Sequence, residues 1–207
     1  MNKNLFKTAV LAATLIGASN VYAASIDLGT AGYSSGNGDD LKAVWQGIDN
    51  SNKTFTSLSE FTNVDTGNST IANLSINFDS GQAQNIDFRF GLDGGYGVEV
   101  FFNNANIVDT TDDIWWSNNY NNSDVIYLGD TALTAGSSNT LNVYWAENGN
   151  SGNQSAQFTL DGGDTWQTLS TENLSAVSAV PEPSTYALML GGLGLVGFMA
   201  ARRRKTA

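Results

Sequence analysis

The chain has no cysteine and no histidine among its 207 residues. A Ser-His-Asp triad and a Cys-His pair are therefore impossible within it. Zinc, copper and haem sites lose their usual ligands. Oxygen donors remain, so calcium is the one metal to keep in view. Basic residues are also scarce: nine Lys and Arg against twenty Asp and Glu. Six of the nine sit at the ends, as Lys3, Lys7, Arg202, Arg203, Arg204 and Lys205. Between residues 24 and 180 there are three bases against nineteen acids, a net charge of −16. Such a surface repels phosphates, which excludes a nucleic-acid partner. What is present is enough for a folded domain: 41 % hydrophobic and 11 % aromatic residues can fill a core.

The two ends carry targeting patterns. Lys3 and Lys7 precede an apolar run at 8–18, and Val21-Tyr22-Ala23 supplies a small-residue site. This is the layout of a secretory signal peptide, residues 1–23, with signal peptidase cutting between Ala23 and Ala24. The apolar run is too short to span a bilayer. At the other end Pro181-Glu182-Pro183 precedes an uncharged stretch at 186–201 and the basic tail Arg202, Arg203, Arg204 and Lys205. As a helix the stretch would reach roughly 24 Å, short for a transmembrane span but extendable by snorkelling arginines. The positive tail places this end in the cytoplasm and the long middle segment outside.

The order of Pro-Glu-Pro, short glycine-containing helix and arginine cluster closely resembles the PEP-CTERM sorting signal over about residues 181–207. The resemblance implies an inner-membrane-anchored precursor and processing near residues 181–183 by an exosortase. That enzyme is a transpeptidase-like membrane cysteine enzyme of bacteria that make exopolysaccharide. The processed product would go to the cell surface or extracellular matrix.

Between the ends the hydrophobic period is two. Ala72, Leu74, Ile76 and Phe78 alternate with polar residues, as do Ile86, Phe88 and Phe90. The same holds for Val98, Val100 and Phe102, for Leu141, Val143 and Trp145, and for Ala156, Phe158 and Leu160. These are half-buried strands. Asp79-Ser80-Gly81, Asp93-Gly94-Gly95 and Asn103-Asn104 read as turns. Residues 155–169 read as a hairpin with Asp161-Gly162-Gly163 at its tip. The expected fold is all-β, an antiparallel β-sandwich or jelly roll over residues 24–170. Residues 41–48 read as a strand within a weaker region at 24–70, and residues 171–180 as a linker. Residues 91–102, 112–116 and 154–158 are similar to the CCXG family of PEP-CTERM proteins, a likeness over roughly 75–170. The chain departs from that family at its naming feature. It has Asn148-Gly149-Asn150-Ser151-Gly152 where a Cys-Cys-x-Gly motif is expected. The family assigns no biochemical activity.

Trp115 and Trp116 are adjacent, and neighbours in a strand point to opposite faces. One of the two therefore reaches the surface or covers a sheet edge. Asp112 and Asp113 precede the pair, and Asn118, Asn119 and Tyr120 follow it. Together these seven residues form a candidate glycan platform, the ring stacking on a sugar while polar groups bond its hydroxyls. Asp109, Asp112 and Asp113 are candidate calcium ligands, with turn formation as the simpler account. No carboxylate pair is singled out for catalysis. The expectation is a non-enzymatic component of the exopolysaccharide or biofilm matrix, needing no cofactor. The alternatives are a calcium-dependent lectin-like module and a secreted glycosidase.

Overall fold

Strict alternation fixes which side chains share a face, and pairing follows from burying those faces. The computed structural model describes residues 23–34, 36, 38–149, 152–178, 192, 193 and 196. In chain order the elements are β1 (Ser25–Gly32), α1 (Leu41–Gly47), β2 (Lys53–Leu58), β3 (Val64–Asp65), β4 (Thr70–Ser80), β5 (Gln84–Gly91), β6 (Asp93–Gly94), β7 (Val98–Phe102), β8 (Ala105–Thr110), β9 (Ile114–Trp115), β10 (Ile126–Leu133), β11 (Ser137–Ala146), β12 (Asn153–Thr159), β13 (Gln167–Thr168) and α2 (Thr171–Ser178).

Among the described residues a six-stranded antiparallel sheet has the order β2-β1-β4-β11-β7-β8. A smaller sheet has the order β10-β5-β12-β13, with β3 joined to β12. The two sheets stack as a sandwich. Its interior takes Ile26, Leu74, Ile76, Val100, Val143 and Trp145 from the large sheet and Ile86, Phe88, Phe90 and Phe158 from the small one. The all-β reading and its strands at 72–78, 86–90, 98–102, 141–145 and 156–160 hold. So does the hairpin at 155–169: Gln157 pairs with Thr168, and Gly162 and Gly163 take positive φ of 72° and 100° in its turn.

Two segments differ from expectation. Residues 41–47 are helical, not a strand, and Ile48 follows as an extended cap. Asp40 caps the helix by accepting from the Ala43 N–H at 2.7 Å. Leu41, Val44, Trp45 and Ile48 follow helical spacing, and they pack on the outer face of the large sheet against Ile71, Phe101 and Tyr144. Residues 171–178 are helical, not a linker. Ser170 Oγ accepts from the Asn173 N–H at 3.0 Å, and Leu174 and Val177 are buried in the main core. The helix is pinned to the end of β4, where Ser178 Oγ donates to the Asp79 carbonyl at 2.9 Å.

The expected transmembrane segment at 186–201, the motif at Pro181, Glu182 and Pro183, and the tail from Arg202 to Lys205 lie outside the described residues, apart from 192, 193 and 196. Among the described residues no helix is long and apolar enough to cross a membrane. The signal peptide also lies outside them, except for exposed Ala23; the next residue, Ala24, is in the core. β1 starts opposite Asn77 and ends opposite Thr70. Residue 24 and helix α2 are therefore at one end of β4, and Thr70 is at the other.

Candidate functional site

The Thr70 end of the sandwich gathers the loops that follow β5, β8 and β11. The Glu147 N–H donates to the Thr70 carbonyl at 2.7 Å, which puts the β11 exit there. β6 and β9 form a two-residue ladder, Asp93 opposite Trp115 and Gly94 opposite Ile114. This ladder sets the two tryptophans on opposite sides. Trp115 is 59 % exposed, and Trp116 only 4 %. Trp115 is held from behind: its N–H donates to Asp124 Oδ2 at 3.2 Å and its carbonyl accepts from Asn122 Nδ2 at 3.1 Å.

Trp116 belongs to the fold, which corrects its place among the glycan candidates. Its ring lies flat on Gly91, where a Cβ would come within 2.2 Å of it. Its indole N–H donates to the Asn153 carbonyl at 2.7 Å. The chain then turns through Ser117 and Asn118, both with positive φ, of 56° and 52°. That turn brings Tyr120 back over Trp116, with ring centroids 4.9 Å apart. Tyr120 is corrected on the same ground: its hydroxyl is buried, and burial pushes its pKa up to about 12 against the pull of Arg89. Asp112, Asp113, Asn118 and Asn119 are exposed around Trp115 in the chain, although Asn119 Oδ1 is engaged by the Asn121 N–H at 3.0 Å.

The candidate calcium ligands do not come together. Asp109 is in β8, opposite Glu99, and lines a separate cleft of about 540 Å³ with Asp39, Asp40 and Lys42. Asp112 lies in a turn capped by Thr110, whose Oγ1 accepts from the Asp112 N–H at 3.2 Å. Among the described residues no three acidic side chains are placed to share an ion. Asp109 faces that cleft from within β8, while Asp112 and Asp113 lie in the turn after the strand.

A carboxyl pair that the sequence reading left unpaired is built instead from Asp93 and Glu147. Asp93 Oδ2 accepts from the Gly152 N–H at 2.6 Å. Glu147 Oε1 accepts from the N–H groups of Asn148 and Gly149 at 2.8 and 3.2 Å. Glu147 is 2 % exposed, and its Oε2 is buried with no donor. Burial, and then the charge of Asp93, push Glu147 up to about 7. Asp93 is raised too, first by burial, with Asp113 contributing. Protonation of Glu147, favoured by its burial and by the charge of Asp93, removes the cost of leaving a charged oxygen there unpartnered. Nothing local in the sequence marks Glu147; only the turn residues Asn148 and Gly149 after a buried strand hint at it.

The stability consequence has a definite sign. Glu147 binds its proton more tightly folded than unfolded, so its contribution is complete below its ordinary pKa of 4.5 and is lost as pH rises through about 7. Asp161, lowered to about 2 by hydrogen bonds from Thr159 and Thr165, acts below this window. The melting temperature is therefore expected to fall by roughly 5 °C between pH 4.5 and 7.5. Glu147→Gln should flatten that slope, as read by thermal denaturation of the secreted protein. An unchanged slope in the variant would show that Glu147 does not drive it.

Residues 179–205 match the PEP-CTERM protein-sorting motif. The chain carries an exosortase sorting signal. The PEP-CTERM motif marks it as exported, processed by an exosortase and sorted to the cell surface. The match covers the tail and does not reach residues 75–170, where the CCXG likeness lies. No curated protein matches the chain. Among solved structures, a PA14 sugar-binding domain from an RTX adhesin is 10 % identical, with a TM-score of 0.54 over 73 % of this chain and 97 % of that one. The PA14 domain of the MpAFP antifreeze protein is 11 % identical, with a TM-score of 0.51 over 78 % and 95 %. These likenesses concern the β-sandwich fold.

Proposed function

We propose that the exported domain is a lectin-like, non-enzymatic carbohydrate-binding module of the cell surface and its exopolysaccharide matrix. Its site is the loop end around Trp115. One observation carries this: a large indole is left 59 % exposed on a backbone fixed from both sides by Asp124 and Asn122. An exposed, pre-positioned aromatic beside polar side chains is what a sugar face needs. That one neighbour of the same fold is a sugar-binding domain of an adhesin agrees with this. So does the topology. Ala24 and α2 lie at the far end of β4 from the Trp115 loops, so a C-terminal membrane anchor would present the site outward.

The carboxyl geometry speaks against hydrolysis. Glycosidase pairs stand about 5 Å apart or more around the scissile bond. Glu147, by contrast, is 2 % exposed and its Oε1 is held by the Asn148 and Gly149 N–H groups, so it does not face a cleft that a sugar could enter. Stacking on one indole is worth millimolar affinity, about −4 kcal/mol, and many copies on a surface make that sufficient. The test is to pass the secreted protein over the organism's own exopolysaccharide. Retention without release of reducing sugar is expected. Sugar release that disappears in Glu147→Gln would overturn the binding role in favour of a glycosidase.

A further inference from the structure

The outer face of the small sheet carries the domain's lone arginine in an unusual setting. Tyr127, Arg89, Gln157 and Thr168 form one row across β10, β5, β12 and β13. The Arg89 guanidinium sits between two rings, 4.3 Å from the Tyr120 centroid and 4.1 Å from that of Trp166. Trp166 is met edge-on by Tyr127 at 6.1 Å, and Tyr127 is 54 % exposed. Trp166 and Arg89 are partly exposed.

The hydrogen bonding of Arg89 is incomplete. A guanidinium has five N–H donors. Nε donates to Gln157 Oε1 at 2.8 Å, and Nη2 donates to the same oxygen. No carboxylate among the described residues pairs with it. The near candidate, Asp87, is turned away: Oδ2 accepts from the Tyr127 hydroxyl at 2.8 Å and Oδ1 from the Asp130 N–H at 2.7 Å. In a segment with nineteen acids and three bases, an arginine without an acidic partner needs an explanation. Both rings lie within cation–π reach of the guanidinium, and Gln157 takes one edge. The remaining N–H groups form a flat, pre-oriented fork of the kind that takes a carboxylate.

We infer that the Tyr127–Trp166–Arg89 surface is a second subsite, one that binds a carboxylate-bearing sugar such as a uronic acid residue of an acidic polysaccharide. The sugar ring lies against Tyr127 and Trp166, and its carboxylate meets the open edge of Arg89. Asp87 and Asp130 lie beside Tyr127, but both Asp87 oxygens are engaged, by the Tyr127 hydroxyl and the Asp130 N–H, and charges beyond about 8 Å are screened at physiological salt. Contact with Arg89 then decides. Tyr120 packs on Trp116, whose ring lies on the opposite side from Trp115, so the subsite is separate from the Trp115 site. The inference shares only its ligand class with the proposed function, and the two are separable by mutation.

The experiment compares a galacturonic acid trisaccharide with its methyl ester, which keeps the rings and removes the charge. Binding to the secreted protein is followed by calorimetry. The acid is expected to bind at least about tenfold more tightly than the ester, a typical margin for a charge-assisted hydrogen bond. Arg89→Gln should erase that preference, and Arg89→Lys should reduce it, because an ammonium does not keep the planar fork. Trp115→Ala should leave the preference intact. Tyr127→Ala, at an exposed position, should weaken acid and ester together and keep their ratio. Equal binding of acid and ester to the parent, no binding of either, or a preference that survives Arg89→Gln would overturn the inference. If Arg89→Gln does not fold, the parent's acid-to-ester ratio and the Arg89→Lys variant decide it.

Discussion

Gly91→Ala is expected to destabilise the domain by about 3 kcal/mol, the upper range for overpacking in a well-filled site. A Cβ at residue 91 would lie 2.2 Å from the Trp116 ring, a distance that no atom pair tolerates. The ring cannot swing aside cheaply. Its indole N–H is bonded to Asn153, and Tyr120 covers it. For a domain of this size the loss corresponds to a drop in melting temperature of roughly 10 °C. Gly32→Ala is the control, since nothing lies within 4 Å of a Cβ there. Its expected effect is within about 0.5 kcal/mol. Thermal denaturation of both variants is the measurement. A Gly91→Ala protein that melts with the parent would mean that Trp116 does not sit on β5.

Adjacent tryptophans should give opposite results. Trp116→Ala removes a buried indole and its hydrogen bond, and should cost about 3–5 kcal/mol. Against a total stability of about 5–15 kcal/mol, that brings the domain close to unfolding at 37 °C. Trp115→Ala removes a side chain that is 59 % exposed, and should change stability by less than about 1 kcal/mol. Denaturant titration of the pair reads this directly. Comparable losses at both positions would mean that Trp115 is also structural, and would remove the platform.

What the sequence shows and what it hides follow from range. Period-two alternation is a local signal, so β4, β5, β7, β11 and β12 can be read off Ala72 to Phe78 and their counterparts. The helix at 41–47 is legible in the spacing of Leu41, Val44, Trp45 and Ile48 and in Asp40 as a cap. The same Val44, Trp45 and Ile48 also favour a strand, so local content does not separate the two. Helix α2 is a weaker case, because Leu174 and Val177 alone face the core and the rest of the segment is polar like a linker. Which tryptophan points outward was not legible. It depends on Gly91, 24 or 25 residues upstream, offering a flat seat to Trp116. The pairing of Asp93 with Glu147 and the stacking of Arg89 between Tyr120 and Trp166 are also long-range products of sheet register. Asp109 failed as a partner of Asp112 and Asp113 for the opposite reason. It faces the cleft lined by Asp39, Asp40 and Lys42, so nearness in sequence does not become a shared site.

On the proposed function, Trp115 carries the carbohydrate binding of the exported domain. Retention of the parent and Trp115→Ala proteins on the organism's exopolysaccharide, measured side by side with their melting temperatures, tests it most directly. The parent should be retained, and the variant should wash through while melting at the same temperature. A variant that is folded and retained as well as the parent would contradict the claim.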